Sequence, residues 1–114
     1  MRLISLTLLL LFTAPAYANE YHRAAVDRAP KKIPDRIVLT WSGDPTTTAS
    51  VTWRTDTSIS QAEGQIAEAN ASANFTTWAR NETARTEKWK RNRLAAHFHS
   101  VTFKGLKPNT LYAY

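Results

Sequence analysis

The closing stretch Gly105-Leu106-Lys107-Pro108-Asn109-Thr110-Leu111-Tyr112-Ala113-Tyr114 decides how this chain is read. A Leu precedes a Pro turn, and a Tyr follows at the start of the next extended run. That spacing lets the Tyr112 hydroxyl reach back to a backbone group across the bend, as in the tyrosine corner of Greek-key sandwiches. Leu106 then lies beneath the phenol and Pro108 shapes the turn. The ring fills a core while its polar tip is satisfied, which suits a bend between two sheets.

Working outward, residues 95–103 alternate, with His97, His99, Val101 and Phe103 on one side. Residues 49–55 alternate too, placing Ala49, Val51 and Trp53 inward against Ser50, Thr52 and Arg54. Residues 36–41 put Ile37, Leu39 and Trp41 on one face of a further strand. Between these two runs, Gly43-Asp44-Pro45 and the Thr run 46–48 form a turn cluster, so the strands pair sequentially or cross between sheets. Residues 62–69 are rich in helix formers, but Gly64 and the lack of a helical stripe favour a strand. Residues 75–79 read as a short strand around Trp78, and residues 80–93 as a hairpin or long loop with Trp89 folded back. Strands recurring about every ten residues between turns indicate an all-β sandwich rather than a barrel or α/β layout, and the corner at Tyr112 makes it an immunoglobulin-like Greek-key sandwich.

Composition narrows what such a domain does. With 114 residues, 43% apolar and 21% charged, the chain is one ordinary domain or part of one. The absence of Cys excludes a disulfide framework, a thiolate metal cluster and a Cys nucleophile. Three His and nine carboxylates are thin material for a metallohydrolase, so the inventory reads as non-catalytic.

The amino terminus reads as an address. Met1-Arg2 is a short positive start, residues 3–12 are apolar apart from Ser5 and Thr7, and Ala16-Tyr17-Ala18 is a small-residue cleavage site. The apolar run is about half the roughly 20 residues a membrane span needs. Residues 1–18 are therefore expected to be a signal peptide cleaved after Ala18, which implies a secreted or periplasmic protein with no membrane association afterwards. Residues 19–32 carry Pro30 and Lys31-Lys32 without apolar periodicity and read as a leader or linker. The sandwich then occupies residues 33–114.

Trp53 on an early strand, together with the Leu106–Tyr112 corner, resembles a fibronectin type III sandwich. More specifically, Arg36-Ile37-Val38-Leu39-Thr40-Trp41-Ser42-Gly43-Asp44-Pro45 and Ser50-Val51-Thr52-Trp53-Arg54-Thr55-Asp56 resemble the opening of the purple acid phosphatase amino-terminal domain. Residues 99–114 resemble its end. The resemblance implies a carboxy-terminal metallophosphoesterase domain as partner in the same polypeptide. That domain would carry a binuclear centre of ferric iron with iron, zinc or manganese, and would hydrolyse phosphate monoesters. Two cations neutralise the phosphate and lower the pKa of a bound water. This stretch itself is expected to hold no metal, no cofactor and no catalytic residue.

Two fragments imitate the family's ligand motifs. Gly43-Asp44-Pro45-Thr46-Thr47 begins like Gly-Asp-x-x-Tyr but ends in Thr, and Ala96-His97-Phe98-His99 lacks the Gly of Gly-His-x-His. His97 and His99 share a strand face at a spacing that can chelate zinc, but a packed or rim position is the plainer reading, with His99 at the sandwich end. The chain is also expected to stop partway into the sixth strand of a seven-strand sandwich. An unpaired edge and an exposed Trp53 would then leave residues 19–114 marginally folded or aggregation-prone.

The richest surface signal is basic. Arg80, Arg85, Lys88, Lys90, Arg91 and Arg93 stand against Glu82 and Glu87, with Trp78 and Trp89 nearby. A solvated loop face and a nucleic-acid grip share this pattern, and an exported protein makes the latter the poorer reading. An anion-facing strip that packs on the catalytic domain or collects charged substrate is a third. Sequons at Asn70, Asn74 and Asn81 would mark an exposed glycosylated edge in a eukaryote and are otherwise loop composition. A separate functional reading is a stand-alone fibronectin-like adhesion or carbohydrate-binding module, using Trp41, Trp78 and Trp89 as stacking surfaces.

Overall fold

The computed structural model describes residues 28–69 and 74–114. The expected signal peptide, most of the leader and the sequon Asn at position 70 lie outside the described residues. Seven strands follow in order: β1 (Asp35–Thr40), β2 (Ala49–Thr55), β3 (Glu63–Glu68), β4 (Arg80–Thr83), β5 (Arg85–Arg91), β6 (Leu94–Phe103) and β7 (Tyr112–Ala113). They form a four-stranded sheet, β1-β2-β6-β5, and a three-stranded sheet, β4-β3-β7, with every pairing antiparallel. The all-β sandwich is what the alternating runs predict. Among the described residues no helix is long and apolar enough to cross a membrane.

The central strands are set by their side chains. β-Branched and aromatic residues suit a pleated, half-buried surface, and β2 and β6 carry them in phase. Their register pairs Val51 with Val101, Trp53 with His99 and Ala49 with Phe103. Val51, Trp53, Ile66, Val101 and Phe103 form the buried core, with Leu106 and Tyr112 packed against it. On β3, Gly64 faces this core so closely that a Cβ there would stand 2.8 Å from Val101 Cγ1 and 3.0 Å from Phe103 Cζ. Gly64 is thus a close-packing glycine inside a strand.

Several expectations need correction. β1 and β2 pair sequentially, as one of the two expected arrangements has it, but the strand ends at Thr40, and Trp41, which keeps 72% of its surface, lies beyond it; Ile37 and Leu39 are exposed. β1 is an edge strand with a register irregularity between Asp35 and Val38, where Arg36 takes φ 52°. Arg54, read as outward, is 7% exposed because its Nε donates to Asp35 Oδ1 at 2.8 Å and its Nη2 to the Arg28 carbonyl at 3.1 Å. That guanidinium holds the Asp35 carboxyl below the usual carboxylate range. Residues 75–77 form a single 3₁₀ turn and no strand.

Residues 80–93 are neither one hairpin nor a loop. They form β4 in one sheet and β5 in the other, and the crossing takes a single residue, Ala84, whose N–H donates to the Ala62 carbonyl at 2.9 Å. The strand containing Tyr112 is therefore the seventh, where the sequence reading counted six. Trp53 is 8% exposed, so the core side chain expected to lie open is covered.

Candidate functional site

At the carboxy-terminal bend, the Tyr112 hydroxyl accepts the Lys107 N–H at 2.9 Å, while Leu106 N–H donates to the Thr47 carbonyl at 2.9 Å. Pro108 is exposed at the tip, where its carbonyl accepts from Thr110 Oγ1 at 3.1 Å and Asn109 takes φ 51°. Trp53, Leu106 and Tyr112 thus belong to one packed unit and Pro108 to its rim. Tyr112→Phe is expected to lower stability by about 1 kcal/mol, the net worth of one such hydrogen bond, read as a shift in urea midpoint. An unchanged midpoint would show that water replaces the phenol without loss.

The most buried polar group is His99, which is fully enclosed. Its ring lies 5.5 Å from that of Trp53. Nε2 meets Thr55 Oγ1 at 2.7 Å and Nδ1 meets Thr86 Oγ1 at 2.9 Å. The single Thr55 hydroxyl proton goes to the Asp56 carbonyl at 3.0 Å. Thr55 must then accept from Nε2–H, leaving Nδ1 to accept from the Thr86 hydroxyl. Every polar atom of the neutral ring is satisfied. Burial, and secondarily the charge of His97, push the imidazole below its ordinary value. The expectation of His99 at the sandwich end is corrected: it is interior, because it sits opposite Trp53 in the middle of the four-stranded sheet.

Neither imitation of a metal motif has the geometry of one. His97 Nδ1 donates to the Ile59 carbonyl at 2.6 Å, and both His99 nitrogens are committed to Thr hydroxyls. Asp44 Oδ1 accepts from Thr46 N–H at 2.8 Å and Thr46 Oγ1 at 2.7 Å, closing a turn that keeps the carboxyl below its ordinary pKa. Among the described residues no group of three or more His, Cys, Asp or Glu could hold a metal ion. The residues present do not fit a binuclear centre.

The structure sorts the six basic residues of 80–93 into two kinds. Arg80 belongs to the three-stranded sheet and is tied to Glu82 at 3.3 Å and to the Lys104 carbonyl at 2.8 Å. Arg85 is paired with Glu87. Lys88, Lys90, Arg91 and Arg93 have no ion pair among the described residues and stand exposed on β5 and its turn to β6. The three candidate stacking rings do not share a surface. Trp41 and Trp78 line different clefts beside the Leu106–Tyr112 bend, whereas Trp89 lies edge-on to Phe98 with centroids 6.5 Å apart. Sequence reasoning missed the buried Thr55–His99–Thr86 network; the in-phase His99 was its only visible trace.

No curated protein and no solved structure matches the chain. The family described as purple acid phosphatase, N-terminal domain, matches residues 34–114, the span that holds all seven strands, the bend pinned by Tyr112 and the enclosed His99. The chain belongs to that family of amino-terminal domains.

Proposed function

We propose that this chain is the non-catalytic amino-terminal sandwich of an exported purple acid phosphatase-like metallophosphoesterase. Its partner is the carboxy-terminal metal-bearing domain of the same polypeptide, and the parent reaction is hydrolysis of phosphate monoesters in acid. The iron with iron, zinc or manganese of that reaction resides in the partner domain, and no step is assigned to residues of the sandwich. The family match over residues 34–114 carries this reading. The exposed apolar side chains Leu39, Trp41, Leu111 and Tyr114 line one cleft and support it further, since a neighbouring domain would cover them. The sandwich then acts as scaffold and cover.

Two measurements test the proposal. The coding sequence after Tyr114 is expected to carry Gly-Asp-x-x-Tyr and Gly-Asn-His-Glu; a stop codon or a second sandwich there would overturn it. The purified chain, supplied with ferric iron and zinc, is expected to leave p-nitrophenyl phosphate intact. Turnover by the chain alone would end the non-catalytic assignment.

A further inference from the structure

The β3–β7 ladder stops short. Its register pairs Glu68 with Tyr112 and Ala67 with Ala113 and ends there, although β3 runs back through Ile66, Gln65 and Gly64 to Glu63. Ala69 N–H donates to the Leu111 carbonyl at 2.9 Å, so the odd-numbered main-chain groups of β3 point toward β7. The even-numbered ones point toward β4, on the side where the Ala62 carbonyl accepts from Ala84 N–H. The N–H and C=O groups of Gln65 and Glu63 therefore lie along an edge that no strand pairs among the described residues.

At the foot of that edge lies a cleft of about 470 Å³, lined by Ile37, Trp53, Val101, Phe103 and Tyr114, with Gly64 in its wall. An edge left to solvent is usually blunted by Pro, a bulge or an inward-pointing charge. Between Glu63 and Ile66 there is no Pro, the register with β4 is regular, and the core-facing positions are Gly64 and Ile66. Gly64 has no side chain to shield Val101 and Phe103, so their shield has to come from across the open edge. Cross-strand partners share a face. Continued by one step, the β3–β7 register sets Tyr114 opposite Ile66, at the cleft, and two steps further it sets position 116 opposite Gly64.

We propose that this cleft receives an extended strand that prolongs β7 along β3, supplied by the polypeptide directly after Tyr114. Position 115 exchanges main-chain hydrogen bonds with Gln65, and an apolar side chain at position 116 covers Val101 and Phe103. The occupant is a strand because the unmet groups are a row of main-chain donors and acceptors at ladder spacing. It belongs to this chain because β7 already enters the cleft in the matching register and direction. The inference rests on the proposed function only in the premise that the polypeptide continues past Tyr114.

Amide hydrogen exchange tests it, comparing the 114-residue chain with the same chain lengthened in its own reading frame by about ten residues, enough for a strand and its turn. Lengthening should slow exchange at Gln65 at least about tenfold, the factor that one hydrogen bond of ordinary net worth supplies. It should slow Gln65 by more than Gly64, whose amide faces β4. The frame itself should read an apolar residue at 116 and no Pro at 115, since Pro has no N–H for the Gln65 carbonyl. Unchanged exchange at Gln65, equal slowing at Gln65 and Gly64, a charge at 116 or a Pro at 115 would overturn the proposal. Protection of Gln65 that appears in the 114-residue chain and rises with its concentration would give the edge to a second copy, and would overturn a strand from the same polypeptide. Downstream metal motifs with Gln65 still open would sink this inference alone, whereas protection of Gln65 ahead of a second sandwich would sink only the phosphatase reading.

Discussion

Phe103→Ala is expected to remove about 3–5 kcal/mol of stability, the usual loss when a buried aromatic ring is deleted. Phe103 is 1% exposed and packs with Val51, Trp53, Ile66 and Val101 across the two sheets. A domain of this size holds roughly 5–15 kcal/mol in total, so the variant should be largely unfolded at mild urea concentrations. Tryptophan fluorescence during urea titration reads this out. A loss below about 1 kcal/mol would mean that the inter-sheet core is not where the structure places it.

Gly64 supplies an independent check on the same contact. Gly64→Ala alone would drive a methyl into Val101 and Phe103, with an overpacking cost of about 1–3 kcal/mol. Combined with Phe103→Leu, which vacates part of that space, the alanine should cost less than it does alone. Such coupling is the mark of residues in contact. Strict additivity of the two changes would show that they do not touch.

The second large effect concerns acid. His99 is neutral inside the sheet, and its folded-state pKa lies below the ordinary 6.5 because burial penalises the charged ring. The unfolded chain therefore takes up a proton first as the pH falls. Stability is unaffected above about pH 7.5 and declines from about pH 6.5 downward, at up to roughly 1.4 kcal/mol per pH unit, until the folded-state value is reached. His99→Gln retains an amide that can donate and accept between Thr55 and Thr86 but does not titrate. It should flatten the dependence of urea midpoint on pH between about 7 and 5. His99→Ala should instead lose about 3 kcal/mol at neutral pH by leaving a cavity and the Thr86 hydroxyl without its acceptor. If His99→Gln melts with the same pH profile as the parent chain, the buried imidazole is not the acid-sensitive group.

The particular residues show what was legible in the sequence and why. Alternation located β2 with its observed ends and β6 to within a residue, because both strands bury most of one face. On β1 the same alternation left burial open: a period of two says which residues share a face, but not whether anything covers that face. Arg54 was placed outward because its phase is opposite to that of Trp53. Its burial depends on Asp35, 19 positions earlier in sequence, which no local pattern reports. Residues 80–93 concealed two strands because edge strands carry charged residues on both faces and look like loop. The Leu106 to Tyr112 spacing announced the bend, since one short segment contains both ends of its hydrogen bond. The basic strip was visible as composition, but its division into paired and unpaired cations follows from the change of sheet at Ala84.

That one-residue passage has a mechanical consequence. β4 and β5 lie in opposite layers yet are joined by a single amino acid, so a load applied to one layer reaches the other through covalent backbone within about 7 Å of chain. The Ala84 N–H to Ala62 carbonyl bond continues the β3–β4 ladder by one step and so holds that corner to the three-stranded sheet. Lengthening the passage by a few glycines would leave each sheet's ladder intact while turning a rigid rivet into a hinge.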